Sequence, residues 1–223
     1  SLVFYQSDER HKDTYVEHFD MDKNGNPINA HPLTEREAKV LAKALTLNTK
    51  KEKSRDFLKP KGILPTNILH INPSENGSVM WFTKAMKRPL YFTERLEISN
   101  GIAEVPAMIW LANKRSLTVF ALTSNRRPTE KTQLYHAPFF NVYDNGKVCM
   151  GTVDVNIQKS ASVEEFTEKW ENYFFNSYFS HLMNGHNPIN GNCVNLWKSL
   201  INTEKFFPKE TLKTTNKTLK NLL

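Results

Sequence analysis

Of the two cysteines in this 223-residue chain, Cys149 and Cys193, the first stands where a nucleophile would be presented. Asn145-Gly146 marks a tight turn, and Lys147-Val148-Cys149-Met150-Gly151 follows directly, so the sulfur lies between a turn and a second glycine. Sulfur reacts as the thiolate, and a free thiol is only about a few per cent ionised at neutral pH. A loop that uses Cys149 must either stabilise the anion, for which Lys147 is the adjacent cation, or rely on the intrinsic nucleophilicity of sulfur. The bland alternative is a strand residue between Val148 and Met150 acting as a small hydrophobe. Cys193, in Gly191-Asn192-Cys193-Val194, has no comparable setting and reads as packing. His136 is the nearest imidazole, while His181 falls near the end of a later helix, and no sequence argument brings it to the cysteine.

Metal chemistry has less support. Asp20-x-Asp22-x-Asn24-Gly25 imitates the start of a calcium loop, but His31 occupies the position that needs a bidentate Glu, and Pro27 interrupts the run. A plain turn is expected there. With two cysteines and no Cys/His cluster at zinc-ligand spacing, the sequence predicts no disulfide framework, no metal and no cofactor. The net charge of +7 would suit an acidic protein surface or a nucleic-acid backbone. Its excess is concentrated in Lys50 to Lys61 and Lys205 to Lys220, as in solvated loops and a tail. No recognition helix or aromatic-basic platform accompanies it, which argues against a nucleic-acid partner. No apolar run approaches the ~20 residues that cross a bilayer, and Ser1 to His11 lacks a basic-then-apolar leader. A cytoplasmic location without membrane contact is the expectation.

The elements that must position Cys149 follow from pattern. Hydrophobic residues at 39% and charged residues at 24% allow a real core. Leu2 to Tyr5 and Tyr15 to Phe19 predict strands, closed by the Asn24-Gly25 turn. Thr34 and Glu37 form a capping box for a helix from Glu35 to Leu47, and Asn48 to Arg55 reads as a loop. Ile68 to Ile71, Val79 to Phe82, Leu90 to Phe92, Val105 to Leu111 and Leu117 to Leu122 read as one antiparallel meander, with Asn76-Gly77, Asn100-Gly101 and Asn113-Lys114 between strands. Ser162 and Glu165 cap a second helix, Val163 to about Met183, whose Phe166, Trp170, Phe174 and Tyr178 recur at fours. Cys193 to Ile201 is a short helix. The expected fold is α+β, a meander with helices on one side. A β-hairpin and helix addition over 1–62 precedes a core over 63–204, and a basic, loosely held tail spans 205–223.

The run Asn141-Val142-Tyr143-Asp144-Asn145-Gly146-Lys147-Val148-Cys149-Met150 resembles the active-site signature of ubiquitin-conjugating enzymes, with Pro138-Phe139-Phe140-Asn141 where that family has His-Pro-Asn. Met80-Trp81-Phe82, Arg127-Pro128-Thr129, Ala137 to Val142, Gly146 to Gly151 and Trp170 to Ser177 resemble one bacterial branch, the PRTRC system protein B group of ubiquitin-conjugating-like proteins. The resemblance implies that Cys149 accepts a ubiquitin-like modifier from a ThiF-type activating enzyme as a thioester and passes it to an amine. It also implies a JAB-type peptidase of the same system among the partners. Asn141 would stabilise the oxyanion or hold the loop in shape; His136, Lys147 and His181 are candidate supporting residues. The missing His-Pro leaves an inactive scaffold that binds the modifier or its activating enzyme as the alternative.

Overall fold

The computed structural model describes residues 1–6, 14–52, 57–74, 76–151, 153–158 and 160–223, with the backbone alone described at 6 and over 45–52. The chain divides into two compact units, Ser1–Lys53 and Ser54–Leu223.

In the first unit, β1 (Leu2–Gln6), β2 (Thr14–Met21) and β3 (Pro27–Pro32) form an antiparallel sheet in that order. The calcium-like motif is a turn device: the Asp22 carboxylate accepts from the backbone N–H of Asn24 and Asn26 at 2.8 and 2.7 Å and joins β2 to β3. Thr34 and Glu37 exchange capping hydrogen bonds at the start of α1 (Glu35–Glu52). The helix continues past Leu47 over 48–52 of the segment expected to be a loop, because no glycine or proline there opposes propagation, and the rest of that segment, 53–55, lies outside the described residues. The third strand went unseen because its residues, Pro-Ile-Asn-Ala-His-Pro, are mostly exposed and carry little hydrophobic pattern.

The second unit is mixed α+β with mostly antiparallel pairing. Its main sheet comprises β4 (Ile68–Asn72), β5 (Ser78–Thr83), β8 (Ala107–Ala112), β9 (Leu117–Leu122), β10 (Gln133–His136) and β12 (Thr214–Thr218), in the order β12-β10-β9-β8-β5-β4. The expected single meander is interrupted. Between β5 and β8 the hairpin of β6 (Met86–Phe92) and β7 (Gly101–Val105) leaves the sheet and pairs with β11 (Tyr178–Phe179), in the order β11-β6-β7. The run from Val105 to Leu111 is therefore two strands in two sheets, divided at Pro106, which has no N–H to give to a ladder.

Side-chain alternation divides the sheet into two faces. Val79, Trp81, Met108, Trp110 and Val119 belong to the larger core with Phe166, Trp170 and Phe174 of α2 (Val163–Phe175) and Leu196, Trp197 and Leu200 of α3 (Cys193–Leu200). The cross-strand pair Trp81 and Trp110 stacks there, with ring centroids 5.9 Å apart. Both helices thus cover one face, as expected. On the other face Met80, Phe82, Ile109, Phe120 and Leu134 pack with Leu219. The residues over 205–223 are accordingly no loose tail: β12 closes one end of the sheet against β10, and Leu219 is buried. Lysines mask a strand whose β-branched threonines suit a pleated edge.

α2 stops at Asn176, well short of Met183. Tyr178 lies on β11 and is exposed, so the aromatic stripe of the helix ends at Phe174 and Phe175. Among the described residues, no helix is long and apolar enough to cross a membrane.

Candidate active site

The loop that carries Cys149 is anchored from below by the two residues that stand for His-Pro. Phe139 and Phe140 are each 1% exposed. Phe139 stacks on Trp197 at 5.2 Å and on Phe179 at 5.4 Å, while Phe140 meets Phe92 edge-on. The Trp197 indole N–H donates to the Pro138 carbonyl at 2.7 Å. Apolar burial here does the anchoring, and it commits both side chains to the core.

Asn141 then takes φ 60°, a left-handed conformation that asparagine tolerates better than most residues. Val142 bridges to Val148, Tyr143 N–H donates to the Lys147 carbonyl, and Gly146 N–H donates back to Tyr143, each of these bonds at 2.9 Å. The turn is hung on β9 through Val119 N–H to Gly146 O and Val148 N–H to Leu117 O, both 2.8 Å. Glycine is required at 146 twice over: φ is +85°, and a Cβ would come within 2.6 Å of the Phe120 ring. Cys149 follows, its N–H donating to the Asn141 carbonyl at 2.8 Å and its side chain partly exposed. It is neither a ladder residue nor a core hydrophobe. Cys193 is the opposite case: it is buried to 3% exposure, and desolvation pushes its thiol up to about 12, consistent with packing.

The Asn141 side chain joins this loop to the segment beyond α2. Its Nδ2 donates to the Tyr178 carbonyl at 2.8 Å, and its Oδ1 accepts from Ser180 N–H at 3.0 Å and Ser180 Oγ at 2.8 Å. Asn141 N–H also donates to the His181 carbonyl at 2.9 Å. Because the Tyr178 oxygen can only accept, the orientation of the amide is fixed, and the single Ser180 hydroxyl proton goes to Oδ1. The hydroxyl oxygen, 2.9 Å from His181 Nδ1, must then accept from it. A neutral His181 therefore carries its proton on Nδ1, and Nε2 is left with a lone pair.

Asn141, Cys149, Met150, Tyr178, Ser180 and His181 line one cavity of about 380 Å³. Three of the five candidate residues thus meet. Lys147 is exposed on the outer side of its turn and does not line that cavity. His136 is placed elsewhere: it sits beside His186, ring centroids 4.5 Å apart, in a second cavity with Asp144 and Lys217. Burial, with His186 and Lys213 nearby, pushes the His136 imidazole down to about 4. Ser180 was missed by sequence reasoning, as was the strand that precedes it. The available signal was Asn176-Ser177, which ends the helix, followed by Tyr178-Phe179-Ser180 alternating exposed and buried.

A mixed α+β core with mostly antiparallel sheets, helices on one face and a partly exposed cysteine after a glycine turn is consistent with an E2-like fold. The chain belongs to prokaryotic E2 family D, whose family model matches residues 41–215 and so includes the whole cavity. Comparison with curated proteins and with solved structures gives no match.

Proposed function

We propose that the protein is a conjugating-type carrier: Cys149 accepts a ubiquitin-like modifier from a ThiF-type activating enzyme and delivers it to an amine, within a PRTRC-type system that includes a JAB-type peptidase. The observation that carries this reading is the meeting of Cys149, Asn141 and His181 in one cavity, inside the span matched to the family.

In the first step the Cys149 thiolate attacks the thioester carbonyl carbon that joins the modifier to the activating enzyme. A carbon–sulfur bond forms, the tetrahedral oxyanion collapses, and the activating enzyme's thiolate leaves. In the second step an amine attacks the new thioester, loses a proton and expels the Cys149 thiolate. His181 Nε2, unprotonated in the neutral ring, is the cavity's proton acceptor for that amine. Asn141 acts as a positioning residue: its amide hydrogen bonds hold 178–181 beside the cysteine loop. Its Nδ2 retains one hydrogen beyond the bond to Tyr178, available to the oxyanion.

A second reading, an inactive scaffold that binds the modifier or activating enzyme without a thioester, is favoured by the burial of Phe139 and Phe140 where the family has His-Pro. One experiment separates the two. The protein is mixed with the neighbouring activating enzyme, the candidate modifier and ATP, and run on a non-reducing gel beside a thiol-treated sample. A mass-shifted band that thiol abolishes, that Cys193→Ala still forms and Cys149→Ala never forms, establishes the carrier. Co-purification without such a band establishes the scaffold.

A further inference from the structure

We infer that His18, His31 and Glu37 form a binding site for one zinc ion in the first unit, an assignment independent of the conjugating reading. β2 and β3 pair with His18 directly opposite His31, and the first turn of α1 brings Glu37 to both. His18 Nδ1 lies 3.0 Å from Glu37 Oε1 and 3.3 Å from His31 Nε2, and the third side of the triangle, His31 Nε2 to Glu37 Oε1, is 3.6 Å. Tetrahedral zinc with bonds of ~2.0–2.2 Å spaces its ligand atoms about 3.3–3.6 Å apart. Two of the three separations lie in that range, and the His18–Glu37 side need only open slightly.

The surrounding contacts set His31 and Glu37 in ligating form, while the His18 ring, whose Nδ1 lies between two acceptors, carries its proton there and moves it to Nε2 on taking the ion. His31 Nδ1 is 3.0 Å from the Pro32 carbonyl, which can only accept, so the ring's proton sits there and Nε2 presents its lone pair. Glu37 uses Oε2 for the Thr34 N–H at 3.0 Å and the Thr34 hydroxyl at 2.7 Å, which leaves Oε1, turned toward the two imidazoles, as the ligating oxygen. Two imidazoles and one carboxylate suit zinc, whereas calcium and magnesium require oxygen shells. The fourth position faces water: side-chain exposures of 27%, 36% and 33% leave the triangle open, and His18 and Glu37 border a groove lined by Leu2, Leu33, Val40 and Leu41.

The unit also has a use for the ion. Among its described side chains, up to Ala44, none is buried, and small units short of a core are commonly stabilised by metal or disulfide. A zinc ion would tie β2, β3 and α1 together at one point. The ligands lie on three elements at irregular intervals, which is why short-range spacing gives no sign of them.

The test uses the full chain after chelator treatment, titrated with Zn²⁺ alone by calorimetry, with imidazole ¹⁵N spectra recorded on the wild type. The expected result is one equivalent bound, with shifts at His18 Nδ1 and His31 Nε2. His18→Ala and His31→Ala should each weaken binding by about a hundredfold or more, while His136→Gln and Cys149→Ala leave it unchanged. Glu37→Gln, which keeps an acceptor for the Thr34 cap and so preserves the helix start, should weaken it about tenfold or more. Circular dichroism verifies the fold of each variant. Absence of saturable binding, unshifted His18 and His31 nitrogens, or full affinity in both alanine variants overturns the assignment and leaves a hydrogen-bonded triad.

Discussion

The candidate site depends on residues chosen for shape as much as for chemistry. Gly146 holds φ +85° with the Phe120 ring where a Cβ would sit, so Gly146→Ala meets both backbone strain and a clash. It should cost about 2 kcal/mol or more of stability, measurable by denaturant unfolding, and should slow thioester formation by displacing the turn before Cys149. Asn141→Ala removes the amide that holds Tyr178 and Ser180. About 1–3 kcal/mol should be lost, and a positioning role predicts a fall in transfer rate at saturating activating enzyme rather than a weakened encounter with it. His136 gives a pH signature. Its ring is held down to about 4 in the fold against an ordinary 6.5, so the unfolded chain takes up the proton first as pH falls. Stability should decline through the window from 6.5 to about 4 and gain no further slope from this group below it. His136→Gln, unfolded in denaturant across that range, should show a flatter profile than the wild type.

At the scale of elements, one polar cluster joins strands from both sheets to the helix. Glu171 of α2 accepts from the Trp81 indole of β5 at 3.0 Å and from Arg88 Nη2 of β6 at 2.6 Å, and Arg88 lies over the Phe175 ring at 5.1 Å. Burial pushes Glu171 up, against the lowering influence of Trp81 and Arg88, so removing the cation should be felt strongly. Arg88→Ala should cost about 2–4 kcal/mol in denaturant midpoint measurements, and Arg88→Met paired with Glu171→Gln should recover part of it. Helix starts were legible because caps are local: Thr34 with Glu37 and Ser162 with Glu165 announce themselves within four residues. Helix ends were not. Tyr178 continues the spacing of Phe166, Trp170 and Phe174, and the pairing of β11 with β6, a partner far away in the chain, holds it outside the helix that Asn176 ends. β12 was hidden in the same way, since the lysines spread over 205–220 dominate the composition around it while its register with β10 decides its structure.

Across the whole molecule, the family and the cysteine turn were visible in sequence because both reside in contiguous residues, and the match over 41–215 supports that level of description. The assembly of the cavity was not. His181 and Ser180 reach Asn141 across a sequence separation of about forty residues, and nothing in their own neighbourhood signals the destination. His136, close in sequence to the loop, faces a different cavity because β10 directs it there.

The excursion of β6 and β7 out of the main sheet has a kinetic consequence. β4 with β5 and β8 with β9 are hairpins that zip locally, whereas the short parallel pairing of β11 to β6 closes one of the longest loops in the unit and comes late for entropic reasons. Because β11 leads straight into Ser180 and His181, a refolding chain should acquire the hairpin-built strands of its sheet, β4, β5, β8 and β9, before its cavity. Time-resolved thiol labelling should then find Cys149 freely reactive after the sheet amides are already protected from exchange.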